Sequence, residues 1–255
     1  MDKTAVKAFA VLEKLAATDS PIGVTKIARA LSLSKSSTHR ILSTLTALGY
    51  ARRSADGAYE LTLKLWEQGA KVLNRTDLFR AARSHLVKLR NHTDETVHLA
   101  MLDRLSVIYV DKIESSHPIR EFTRIGDRAP IHCTATGKVL VAFQRTEIPS
   151  GPYPVYTRST IVNQKRFSAE LTATRRQGYA LNFGEYGASV NGLAAPVANR
   201  TGAVVAAVAI SGPAERVKPA TLRSFLVPLL VATRRISRSL GCRVSLPGWE
   251  DADVP

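Results

Sequence analysis

Two runs in this 255-residue chain combine residue types and spacings suited to chemistry. The first is Lys35-Ser36-Ser37-Thr38-His39-Arg40, with Lys26 and Ser34 before it and Arg52 and Arg53 after it. Short hydroxyls allow close approach of a partner, and cations suit phosphate. Arg40 fits either a phosphate or a bidentate contact to guanine. No acidic residue falls between Asp19 and Asp56, whereas Lys26, Arg29, Lys35, Arg40, Arg52 and Arg53 all do. Solvated surfaces ordinarily interleave both signs, so this stretch reads as a face built against phosphates. The second run, Cys133-Thr134-Ala135-Thr136-Gly137, leads from a loop into a helix. The first N–H groups of a helix lack intrahelical acceptors, and small residues around them let an anion come close. Hydroxyls at Thr134 and Thr136 would add donors, which makes a carboxylate the natural ligand; the alternative is a capped helix start with no ligand.

Other tempting groups fail on spacing. Gly137-Lys138 resembles a phosphate loop, but that motif needs glycine where His132 stands and Ser or Thr where Val139 stands. His132 and Cys133 are neighbours in an extended segment and point to opposite faces, so Cys133 reads as a small buried thiol and not as a nucleophile. His85, His92 and His98 lack metal-cage spacing, and His98 is placed at a surface or pocket rim. No Ser/His/Asp grouping with a nucleophile turn occurs. Neither a cofactor nor a metal is predicted.

Composition narrows the class. Lys and Arg number 36 against 21 Asp and Glu, a net +15, which attracts polyanions. Residues 1–75 hold twelve cations and six carboxylates, so the excess is spread over the chain. With 45% hydrophobic and 22% charged residues, the chain has the balance of a core-forming protein, and disorder is excluded for most of it. The longest clean apolar stretches, Ala203 to Ile210 and Phe225 to Ala232, fall far short of the ~20 residues of a membrane span. Met1-Asp2-Lys3-Thr4 leads into an amphipathic segment without an apolar leader, and two cysteines make no disulfide framework, so a cytoplasmic location and no membrane partner are expected.

The positioning elements follow from periodicity. Helices are predicted over 5–17, with Val6, Phe9, Ala10, Leu12, Leu15 and Ala16 inward, and over 25–31, with Ile27, Ala28 and Leu31 inward. A third spans 35–48, capped by Ser34 and burying Ile41, Leu42, Leu45 and Leu48. Residues 50–61 form a hairpin around Ser54-Ala55-Asp56-Gly57. Three helices with a tight turn before the third, then a basic hairpin, is the layout of a winged helix-turn-helix, whose third helix enters the major groove. A protein-binding three-helix module is the alternative. A connecting helix covers 63–74, Asp77 or Thr76 caps a further helix with Leu78, Phe79, Ala82, Leu86 and Leu89 inward, and strands follow at 96–102 and 107–113. Helices at 135–143 and 169–177, strands at 193–197 and 204–210, and a closing helix at 222–240 make the second half an α+β domain; residues 250–253 read as a disordered end.

The run Leu31-Ser32-Leu33-Ser34-Lys35-Ser36-Ser37-Thr38-His39-Arg40-Ile41-Leu42, with Leu45, Gly49-Tyr50 and Tyr59-Glu60-Leu61, resembles the DNA-binding domain of the IclR family of bacterial transcription regulators. Proline is usual there in place of Ser34, and Thr-Val in place of Ser37-Thr38. Glu95-Thr96-Val97-His98-Leu99, Gly126, Ala129-Pro130-Ile131-His132, Thr136-Gly137-Lys138, Gly178-Tyr179-Ala180, Glu185, Ala194-Ala195-Pro196-Val197 and Ser211-Gly212-Pro213 occur in the order of that family's effector domain, so nearly the whole chain is covered. The resemblance implies a GAF-like α+β fold binding small metabolites, with a pocket formed by Ala135, Thr136, Asn182, Gly192, Ala209 and Ser211, and a homodimer or homotetramer. Members that bind small keto acids tend to carry an acid and a cysteine where Asn182 and Gly192 stand. The departure implies a larger, less polar space and a bulkier, aromatic carboxylate.

Taken together, the residues and the resemblance lead to a winged helix-turn-helix domain at 1–62, a linker helix at 63–76 and an effector-binding domain at 77–255. The expected function is a ligand-responsive, sequence-specific regulator binding double-stranded operator DNA and a small organic acid, and no enzyme. Two alternatives are an enzyme acting on a small acid with an appended DNA module, and a nonspecific nucleic-acid-binding protein.

Overall fold

The computed structural model describes residues 2–73, 77–120 and 123–249, and the chain divides into two compact units, Met1–Thr76 and Asp77–Pro255. The first holds α1 (Lys3–Ala16), α2 (Val24–Ala30), α3 (Lys35–Ala47), β1 (Ala51–Arg53), β2 (Tyr59–Leu61) and α4 (Lys64–Leu73). Its core is Val11, Leu15, Ile27, Ile41, Leu42, Leu45, Ala51 and Tyr59. Two local devices set α3. The turn before it passes through Ser32 at φ +54°, and Ser34 Oγ accepts the Ser37 N–H at 3.2 Å, the cap anticipated from sequence. Ile22 and Tyr59 exchange backbone hydrogen bonds of 2.9 and 3.0 Å, which ties the β1–β2 hairpin to the segment before α2.

The inward face of α1 matches the expected one at Leu12 and Leu15 and differs from it at its N-terminal half. Val6 and Phe9 are 43% and 66% exposed, while Val11 and Leu15 are buried. This helix is apolar on two sides, and its contacts with α3 and β2 select the Ala8, Val11, Leu12, Leu15 stripe. Leu48, expected inside, is exposed because it caps α3 just before the chain reverses at Gly49, φ +78°.

The second unit contains α5 (Leu78–Thr93), β3 (Thr96–Asp103), β4 (Ser106–Ile113), β5 (Arg128–Pro130), α6 (Ala135–Gln144), α7 (Gln164–Gln177), β6 (Ala180–Phe183), β7 (Val190–Ala198), β8 (Val204–Pro213) and α8 (Pro219–Ser239). The strands form one antiparallel sheet in the order β5-β4-β3-β8-β7-β6. Side chains alternate across it. Val97, Leu99, Leu193, Ala195, Val208 and Ile210 pack with α5 and α8. Ala100, Ala180, Ala194, Ala207 and Ala209 pack with α6 and α7. The alanines let α6 lie close on the sheet, and α6 is buried on every side.

Strands β5 and β6, of three and four residues, are additions to the sequence expectation; both are too short to show a period. Asp77 precedes α5 but does not cap it, and its carboxylate pairs instead with Arg80 at 2.6 Å. Thr76 and residues 250–253 lie outside the described residues. Among the described residues, no helix is long and apolar enough to cross a membrane.

The seat of α6 depends on Gly137, where an added Cβ would come within 2.4 Å of the Ile131 carbonyl oxygen. Gly137→Ala should therefore cost about 1–3 kcal/mol of stability, the usual cost of overpacking. A urea midpoint equal to that of the wild type would show that the segment before α6 yields freely.

Candidate nucleic-acid interface and ligand cavity

In the first unit, the predicted surface is largely present. Lys26, Ser34, Lys35, Ser36, His39, Arg40, Arg52 and Arg53 are exposed, and Ser37 is half-buried. Thr38 corrects the expectation. It is fully buried, and its hydroxyl donates to the Ser34 carbonyl at 3.0 Å, so it locks the first turn of α3 and offers nothing to a partner. The side chains of Lys35, His39 and Arg40 have no hydrogen bond or ion pair among the described residues, so their donors face outward unspent. The hairpin arginines differ. Arg52 pairs across the ladder with Glu60 at 2.8 Å, which offsets part of its charge, while Arg53 lies 5.9 Å from the Tyr59 ring centroid and donates to Gly57 O at 3.4 Å.

In the second unit, the start of α6 faces a cavity of about 350 Å³. Strand register supplies its floor. Asn182 pairs with Gly192 and Gly192 with Ser211, while Ala209 stands opposite His98. All seven residues expected there, Thr134, Ala135, Thr136, Asn182, Gly192, Ala209 and Ser211, line it. Their roles differ. Thr134 is the N-cap: its hydroxyl accepts the Gly137 N–H at 3.1 Å and donates to Pro130 O at 2.7 Å, so its proton is already committed. Thr136 Oγ1 is buried without a partner among the described residues. An orphaned hydroxyl carries a desolvation cost that an occupant accepting or donating there would relieve.

Sequence reasoning missed part of this cavity. His98, expected at a surface or pocket rim, does line it, buried, with Nε2 at 2.7 Å from Thr123 Oγ1 and Nδ1 at 3.3 Å from Ser211 Oγ. Tyr109, Arg120, Thr123, Tyr186 and Ser189 also contribute. The alternation placing Ala209 and Ser211 inward predicts His98 once the register is known; the loop residues leave no periodic signal. The lining is mixed: hydroxyls, an imidazole and an amide stand among Ala135, Gly192, Val190, Ala209 and Ile210, while the Arg120 guanidinium is paired with Glu114 at 3.2 Å.

Beneath the cavity lies Lys138, with 2% of its side chain exposed. Its ammonium donates to Glu185 Oε1 at 2.6 Å and to Leu181 O at 2.9 Å. Burial pushes the Glu185 carboxyl up from its ordinary range, and Lys138 beside it opposes that rise. Asn182 Oδ1 accepts the Glu185 N–H at 2.9 Å, so a cavity-lining residue also holds the next loop in place. Lys138 is thus an internal tie, not a phosphate ligand. Cys133 is buried, its thiol pushed up to about 12 by burial and by the nearby Glu185 charge, which leaves it protonated at neutral pH. His132 Nε2 donates to Pro154 O at 3.0 Å, and no bond joins it to Cys133. Among the described residues, no group of three His, Cys, Asp or Glu is placed to hold a metal.

These two surfaces match known proteins along almost the full chain. The family model for the C-terminal domain of the bacterial transcriptional regulator IclR matches residues 70–238, and the IclR helix-turn-helix domain matches residues 4–55. The chain belongs to the IclR family. It is 36% identical to the HTH-type transcriptional regulator KdgR of Escherichia coli K12 over 242 residues, 92% of each chain. The crystal structure of the Thermotoga maritima IclR superposes with a TM-score of 0.78 at 29% identity, covering 93% of this chain and 98% of that one. An IclR homologue from Microbacterium hydrocarbonoxydans, complexed with 4-hydroxybenzoate, shares the fold at 23% identity, with a TM-score of 0.80 over 93% of this chain and 99% of that one. As an IclR-family member, the protein is a ligand-responsive, DNA-binding transcription regulator and not an enzyme.

Lys138→Met leaves Glu185 buried without its cation and should cost at least about 3 kcal/mol. Glu170→Gln removes a half-exposed carboxylate 3.6 Å from the same ammonium and should cost less than about 1 kcal/mol. Equal urea midpoints for the two variants would deny the Lys138–Glu185 pair its special place.

Proposed function

We propose that the first unit reads operator DNA through Lys35, Ser36, Ser37, His39 and Arg40, and that the cavity at α6 takes the effector, a small organic acid with an aromatic one among the candidates. Supporting the first part, the outward cations of α3 hold no internal partner and sit on a capped, rigid helix start. Side chains at that end of a recognition helix reach base edges in the major groove. Lys26 and Ser34 flank the surface and suit phosphate, while Arg52 and Arg53 suit a wing on the backbone or minor groove.

One observation carries the second part: the unpartnered Thr136 hydroxyl at the start of α6, in a residue that lines the cavity. A carboxylate meets the Ala135 and Thr136 N–H groups, which have no intrahelical acceptors at that position. Polar groups on its body meet Asn182, Ser211 and His98, and Ala135, Val190, Gly192, Ala209 and Ile210 leave room for an apolar or aromatic body, as in the 4-hydroxybenzoate bound by the Microbacterium homologue.

Paired half-sites require paired recognition helices, so the working form is a homodimer or homotetramer in the cytoplasm. Val6 and Phe9 on α1 and Trp66 on α4 are exposed apolar side chains that self-association would cover. Effector binding then alters the pairing of DNA-binding units by favouring one arrangement over another.

Fluorescence anisotropy with the intergenic DNA beside its own gene and a scrambled duplex tests the DNA half. A preference of about 10³-fold or more is expected, and Arg40→Ala should lose at least ~1 kcal/mol of operator affinity; unchanged affinity removes Arg40 from the interface. Thr136→Trp, which fills the cavity, should abolish release or tightening by organic acids while operator binding persists. A response that survives moves the effector elsewhere.

A further inference from the structure

A second cavity, of about 380 Å³, lies on the other side of the segment that leads into α6. Its wall is aromatic. The His132 and Tyr153 rings stand 5.1 Å apart with a 30° tilt, His132 and Tyr156 6.0 Å apart with a 35° tilt, and Tyr156 meets Tyr186 edge-on at 4.9 Å. Ile131, with Pro130 and Pro154, gives an apolar lining, and Arg128 stands at the rim. The two cavities are separate spaces that share Tyr186 as a wall.

Three features define what fits. Tilted and edge-on rings, with Tyr156 and Tyr186 still 47% and 40% exposed, offer faces and edges for a planar ring. His132 is 4% exposed, and because its Nε2 donates to a carbonyl, its Nδ1 is the acceptor nitrogen, with no partner among the described residues. Burial also holds His132 below its ordinary protonation range, which keeps that nitrogen an acceptor at neutral pH. Arg128 pairs with Asp103 at 2.5 Å, yet a guanidinium has five donors and retains N–H groups for an anion. A cation against these rings would face this guanidinium and a chain of net +15, so the aromatic wall favours an acid over an ammonium ligand.

We propose that this cavity is a second ligand site, distinct from the effector cavity, for a planar aromatic carboxylate bearing a ring hydroxyl or N–H donor. The ring lies against Tyr156, the donor meets His132 Nδ1, and the carboxylate meets Arg128.

Calorimetric titration of the full-length protein with 4-hydroxybenzoate tests this, carried out in a Thr136→Trp background so that the effector cavity is filled. Gly192→Leu serves as the background if Thr136→Trp alters the unfolding curve. Saturable binding is expected there, weakened about tenfold by adding Tyr156→Leu, and weakened similarly when benzoate, which lacks the donor, replaces the probe. Tyr156 is about half exposed, so this variant should melt with its parent. The proposal is overturned if the filled-cavity protein does not bind 4-hydroxybenzoate at millimolar concentration, or if Tyr156→Leu leaves binding unchanged. Failure of the effector reading shows separately, as an acid response that survives Thr136→Trp.

Discussion

Lys138 brings a full positive charge into the interior of the effector domain, and the geometry around the cavity depends on how that charge is met. Its ammonium joins α6, the backbone of β6 and the loop carrying Glu185 in one set of short hydrogen bonds. A buried charge pair adds little net stability relative to an apolar pair of the same shape, but it tolerates few arrangements. Here it ties α6 to β6, two elements that both line the cavity. Glu95, just before β3, plays a parallel part. It is buried against Arg216, bonded through both oxygens, and the glycine at 212 is needed because a Cβ there would meet the Glu95 carboxylate at 2.4 Å.

The same economy governs the DNA-binding unit. Hydroxyls that look like surface donors are divided between structure and function. Thr38 and Ser34 hold the first turn of α3, and Ser36, His39 and Arg40 stay on the exposed side. Rigidity at that turn lowers the entropy that any partner binding this surface would have to overcome.

Much of the fold was legible because it rests on local rules. Ser34 as the cap of α3, the hairpin at 51–61, the β3–β4 pair and the long α8 all follow from caps, turns and period. The cavity residues carried by family resemblance, Asn182, Gly192, Ala209 and Ser211, do meet on one face, for the plain reason that they occupy matching positions in paired strands. What escaped were short strands without a measurable period, and the loop residues Arg120, Thr123 and Tyr186, whose place depends on where distant strands pair.

The sequence by itself determined which elements form and which residues could bind DNA or an acid, because capping, turn chemistry, alternation and charge act over a few neighbouring residues. Only the tertiary structure decided between equivalent local choices. It turned the Val11 stripe of α1 inward over the equally apolar Val6 and Phe9, buried Thr38, spent the Thr134 proton on Pro130 while leaving Thr136 open, and brought His98 and loop residues to the cavity. Each of these outcomes depends on a partner far away in the chain, and a partner's position exists only once the layers have packed.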